Sequence, residues 1–136
     1  MGYNSIVYGK ACAPGLLGQL ARAGCSVAED GHVVTPDGWW SAGVVVVDDD
    51  TITGVDEWGH WYGFDNLVQA LHQVEGLETA DLIREGEEGG DRERHVYQDG
   101  RWYELLVMEA CVRRDQMEQA RAAAERALAG FALEGQ

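Results

Sequence analysis

The sequence predicts an α+β fold: an antiparallel sheet of about six strands packed by two or three helices. Three observations carry this expectation. Short β-forming runs recur with turn residues between them. Two stretches, 14–23 and 65–76, place apolar residues at helical spacing. Each such stretch lies between groups of hairpin-linked strands, which favours helices on one face of an antiparallel sheet. The length of 136 residues suits one such unit over 1–108. The remainder, 109–136, reads as a C-terminal helix that packs on this unit or mediates self-association.

In order, Tyr3–Ala11 holds Ile6, Val7 and Tyr8 and reads as an opening strand. Pro14 suits the first helical position, where its missing N–H costs nothing. Leu16, Leu17, Leu20 and Ala23 then form an apolar stripe, and Gly24 suits the left-handed stop. His32–Val34 reads as a strand, and Pro36-Asp37-Gly38 as a turn. Trp39–Asp48 returns as a strand. Its four valines, Val44 to Val47, predict burial on both faces and a central place in the sheet. After Asp48-Asp49-Asp50, Thr51–Val55 gives a shorter strand. Asp56–Gly63 is aromatic and irregular.

Asp65 or a neighbour is expected to cap a second helix, in which Leu67, Ala70, Leu71 and Val74 share a face. Gly76 ends it. Leu82–Met108 reads as two consecutive hairpins. The first bends at Gly86-Glu87-Glu88-Gly89-Gly90-Asp91 and the second at Asp99-Gly100. Asp-Gly favours a two-residue loop because both positions need positive φ. That loop pairs Tyr97 with Trp102 and His95 with Glu104, and the aromatic pair contributes about 0.2–1 kcal/mol. Cys111–Leu133 is alanine-rich and helical by propensity, with Met117, Ala120, Ala124, Leu128 and Phe131 along one narrow stripe.

Charge narrows the function. The net charge is −14, and the twelve acids from Glu29 to Asp81 meet no Lys or Arg. Such a field repels phosphate backbones and attracts basic surfaces. Direct nucleic-acid binding is therefore not expected. No run of about 18 apolar residues indicates a membrane span, and no signal peptide is read at the N-terminus. Cys12, Cys25 and Cys111 are sparse and form no CxxC, which fits reduced thiols and a cytoplasmic setting.

Catalytic signatures are lacking in the sequence. There is no HExxH, GxSxG, Walker lysine motif or dinucleotide-binding glycine fingerprint. Lys10 is the sole lysine, which leaves little room for Schiff-base chemistry. Asp48, Asp49 and Asp50, with Asp56, Glu57 and His60, could supply oxygen ligands to a hard cation. The spacing fails the calcium-loop pattern, because Thr53 stands where glycine belongs. Glu85, Glu87, Glu88 and Asp91 crowd a hairpin tip. Turn carboxylates flanked by glycine are usually wet and unshifted, so a tip that meets an arginine-rich partner suits them better than catalysis. Trp39, Trp40, Trp58, Trp61 and Tyr62 form an aromatic group, and exposed aromatic residues ringed by acids suit a protein contact.

The opening MGYNS with Gly9-Lys10, the segment GFDNLVQAL, the run EGEEGGD and the later DGRW resemble a family of small proteins that begin Met-Gly-Tyr. Its members occur in actinobacteria and in phages and prophages, as a domain of unknown function. The resemblance covers the first dozen residues and Phe64 to Leu106. It implies a small accessory gene of a mobile element, and it carries over no activity and no functional residue.

Together these readings predict a non-enzymatic acidic binding protein without a cofactor, which inhibits a basic, nucleic-acid-binding host defence protein. The expected contact residues are Asp48, Asp49, Asp50, Asp56, Glu57, Trp58, Trp61, Glu85, Glu87, Glu88 and Asp91. Two other readings remain open at this stage. One is an immunity protein for a basic toxin. The other is a carboxylate-based divalent-metal protein or hydrolase.

Overall fold

The computed structural model describes residues 2–36 and 38–106, with 119, 121, 122, 125 and 126. Those last five are helical. The rest of the C-terminal helix expected over Cys111–Leu133, and its role in self-association, lies outside the described residues.

The chain is mostly β. Its strands are β1 (Ser5–Cys12), β2 (Ser26–Val27), β3 (His32–Val34), β4 (Ser41–Asp48), β5 (Thr51–Gly54), β6 (Trp58–Gly59), β7 (Thr79–Gly86), β8 (Arg92–Gln98) and β9 (Arg101–Leu106). Helix α1 (Leu16–Arg22) follows β1, and α2 (Phe64–Leu71) follows β6. All nine strands join one antiparallel sheet in the order β2-β3-β4-β5-β1-β7-β8-β9, with β6 pairing β1. This overturns the expected α+β architecture of about six strands with two or three helices. The reason is physical. Strands β2 and β6 have two residues each, too few for any alternation to register in the sequence. Helices α1 and α2 have seven and eight residues, too short to make a layer equal to the sheet.

Strand β1 is the organiser. Along one edge it pairs with β7 over its whole length, from Ser5↔Gly86 to Cys12↔Thr79. Its other edge is shared. β5 takes Lys10 to Cys12 and β6 takes Ser5 and Ile6. Between them the chain crosses through Asp56, whose φ is 59 and whose N–H donates to the Val7 carbonyl at 2.8 Å.

Alternation along β1 sends Val7 and Ala11 to the face that carries the helices. There they join Ile52, Val44, Ala80 and Leu82, and α1 adds Leu16 and Leu20. From α2 come Phe64, Leu67, Val68 and Leu71, all buried. Helix α1 starts two residues later than proline chemistry suggests: Gly15, at φ 66, is its N-cap and Leu16 its first helical residue. The β4–β5 turn satisfies the helix start instead. The Gly15 N–H donates to Asp50 Oδ1 at 2.8 Å, and the Leu17 N–H to the Asp49 carbonyl at 3.0 Å.

Two local expectations change. Trp39 and Trp40 lie outside β4, and Trp39 takes a positive φ of 58. Of the four valines only Val44 is fully buried, and Val47 is 59% exposed, because alternation turns Val45 and Val47 to the face opposite the helices. By contrast, the Asp99-Gly100 turn has φ 53 and 77, and it pairs Tyr97↔Trp102 and His95↔Glu104 as its sequence predicts.

Candidate functional site

The acidic hairpin tip and the aromatic loop meet at the N-terminal end of β1. Ser5 pairs with both Gly59 and Gly86, and Ile6 with both Trp58 and Glu85. Asp56, Glu57, Trp58 and Trp61 therefore approach from one side of β1, and Glu85, Glu87, Glu88 and Asp91 from the other. Asp48, Asp49 and Asp50 do not join them. They sit beside Ala13 and Gly15, past the opposite end of β1. Eight residues of strand put the two ends roughly 23 Å apart. Within that turn the Asp48 carboxylate accepts the Asp50 N–H at 2.8 Å, while the Asp50 carboxylate is engaged by the Gly15 N–H.

Residues 2–4 tie the two sides together. Glu87 Oε1 accepts the Asn4 N–H at 3.0 Å, and the Glu87 N–H donates to the Asn4 carbonyl at 3.1 Å. The Tyr3 hydroxyl donates to Asp91 Oδ2 at 2.5 Å and accepts the Glu88 N–H at 3.2 Å. On the aromatic side, the Tyr62 hydroxyl accepts the Tyr3 N–H at 2.8 Å.

Beneath the tip is a polar cluster that sequence reading missed. Arg84 and Glu93 are cross-strand partners on the helix-bearing face. Arg84 Nη2 reaches Asp91 Oδ1 at 2.8 Å and Glu93 Oε2 at 3.0 Å. Glu93 Oε1 lies 3.2 Å from His95 Nε2. The side chains of Arg84 and Glu93 are both 16% exposed. From the first turn of α2, Asp65 stands beside Glu93 while staying open to solvent on its outer side.

The titration of the cluster follows from these contacts. Arg84 and Tyr3 hold the Asp91 carboxyl below its usual range, and His95 and Arg84 do the same for Glu93. Desolvation of its inner side and the neighbouring Glu93 push Asp65 up. Asp91 and Glu93, being depressed, stabilise the fold above about pH 4, and that contribution is lost as pH falls through their folded values. Asp65 works in the opposite sense, favouring the fold when protonated. The melting temperature is expected to drop as the solution is acidified below about pH 4, and Glu93→Gln to flatten that drop. A wild type whose melting temperature is level down to pH 2 would contradict the assignment.

On the outer face, Glu85 contacts Arg92 at 3.1 Å and lies beside the Tyr8 hydroxyl. Arg94 forks onto Asp81 at 2.9 and 2.7 Å.

The rings divide into two classes. Trp61 is held against the core: its Nε1 donates to the Glu57 carbonyl at 2.9 Å, and its ring stacks on His32. The others form a solvent-facing ladder. Trp40 meets Tyr62 edge-on at 5.2 Å, and Tyr62 stacks on His60 at 5.5 Å. Trp40 is 48% exposed and Tyr62 41%, with Trp58 at 55% and Trp39 at 71%.

A depression of about 550 Å³ lies between α2 and the β8–β9 hairpin, lined in part by Asp65, His72, Glu93, His95 and Trp102. Among the described residues no group of three or more His, Cys, Asp or Glu is placed to hold a metal ion. Among the described residues, too, no helix is long and apolar enough to cross a membrane. Comparison with protein-family models, with curated proteins and with solved structures finds no match to this chain.

Proposed function

We propose that this chain is a non-catalytic binding protein of a mobile element, and that it occupies the basic, nucleic-acid-binding surface of a host defence protein. One observation carries the reading. The exposed ladder Trp40–Tyr62–His60 abuts the acidic tip through residues 2–4. An aromatic anchor beside carboxylates is the composition that binds a basic protein. The rings supply buried area, and the charges supply orientation and association rate. The tip is also fixed before the partner arrives, so little ordering entropy is lost on binding.

Within this reading Glu87 and Glu88 contact the partner directly. Asp91 acts from below, by holding Tyr3 and Arg84 in place. Asp48, Asp49 and Asp50 belong to the far end and contribute only to the long-range field.

The test uses the full chain immobilised as bait for a host lysate at low salt. A partner identified by mass and released by salt is the expected result. The double variant E87K/E88K is expected to weaken its capture at least about tenfold, whereas Glu29→Lys, away from the tip, leaves capture intact. Equal capture by the wild type and E87K/E88K would overturn the assignment.

A further inference from the structure

We propose that an aromatic cavity beside the acidic tip takes the ammonium head of a lysine side chain from the basic partner, with Asp65 as its counter-ion. The inference rests on the proposed function and deepens it, by naming the chemistry that the site reads.

Tyr3, Trp61, Tyr62, Phe64, Asp65 and Arg84 line a cavity of about 150 Å³. That is well below the ~300–1,000 Å³ of a site for a drug-sized ligand, and it suits one side-chain head. Four aromatic rings with one reachable carboxylate are the composition that attracts an alkylammonium ion, since ring faces carry negative charge density.

The rings are fixed in advance by contacts outside the cavity. The Tyr3 hydroxyl is held by Asp91 and Glu88. The Tyr62 hydroxyl is held by the Tyr3 N–H, and Trp61 Nε1 by the Glu57 carbonyl. Phe64 is fully buried in the core. A cage built this way loses no rotamer freedom when it fills.

Charge agrees with a cationic occupant. Arg84 lines the cavity, but Asp91 and Glu93 already engage it, and Asp65 makes a third carboxylate around a single guanidinium. The small cavity also sets the choice of lysine over arginine. A compact ammonium needs one free carboxylate oxygen, whereas a planar guanidinium fork wants two.

The test titrates the full chain with tetramethylammonium chloride, against sodium chloride at equal ionic strength, and follows tryptophan fluorescence. A short lysine-rich peptide and its arginine counterpart are titrated alongside. Tetramethylammonium is expected to saturate a single site. D65N and Tyr62→Leu should each weaken it about tenfold. D65N should weaken the lysine peptide by the same factor and leave the arginine peptide unchanged. Tyr62→Leu leaves Asp65 and Glu93 in place, so it answers the objection that D65N merely disturbs those neighbouring carboxylates.

Indifference of tetramethylammonium to both variants would overturn the cage. So would an equal response of the two peptides to D65N. If E87K/E88K abolishes salt-sensitive peptide binding while D65N and Tyr62→Leu do nothing, the cage falls and the acidic surface stands. If tetramethylammonium binds and responds to D65N while E87K/E88K changes neither peptide, the cage stands and the surface reading falls.

Discussion

Arg84→Met is expected to destabilise the protein by about 3–5 kcal/mol, read from urea unfolding. Methionine keeps the unbranched apolar stem as far as the Nε position, so the loss is chiefly that of the guanidinium. Removing the guanidinium leaves Asp91 and Glu93 without their principal cation, and Glu93 is only 16% exposed. A buried carboxylate that loses its partner bears its full desolvation penalty. Two further variants separate pairing from packing. Arg84→Lys keeps a charge but loses the fork that spans both carboxylates, so it should fall between the wild type and Arg84→Met. Arg84→Met with Glu93→Gln should be less destabilised than the two single changes added together, because the second removes the charge that the first strands. A loss below about 1 kcal/mol for Arg84→Met would mean that the cluster behaves like a surface ion pair and does not secure the tip.

Gly9→Ala is the second large effect. Gly9 sits mid-way along β1 at φ 102, and a Cβ built there would lie 1.9 Å from the Asp81 carbonyl oxygen. Two costs combine. Positive φ on an L-residue carries about 1–3 kcal/mol, and overpacking against backbone that cannot move aside carries about 1–3 more. Because β7 pairs with β1 along its whole length, the displacement is felt on both sides of the Gly9↔Leu82 pair. The expected outcome is a chain that is mostly unfolded at 37 °C, seen as loss of the cooperative melt. A Gly9→Ala protein that melts within a few degrees of the wild type would show that the strands can part there at little cost.

What could be read in the sequence follows how local each interaction is. The Asp99-Gly100 hairpin is legible because two turn residues fix its register. The pairing of β1 with β7 is not, since nothing in either strand names a partner some seventy residues away. Trp39 and Trp40 read as strand because aromatic residues favour strands, yet the turn captures them. At the site, Glu87 and Glu88 are recognisable as a tip from their glycine neighbours. Arg84, Glu93 and Asp65 are not, although one signal exists. Arg84 alternates with Leu82 and Ala80, so it must point to the apolar face, and a charge on that face requires a partner. Following that alternation across the first hairpin would have led to Glu93.

The place of β1 at the centre of the sheet also governs how the chain comes into being. Among the described strands its full-length neighbour is β7, which ends at Gly86, so β1 waits while some seventy further residues are made before its mate is complete. Until then β5 and β6 can cover only parts of one edge. Closing contacts of that sequence separation is slow. The nascent chain thus passes through an interval with an open β edge, when it is most exposed to aggregation and proteolysis.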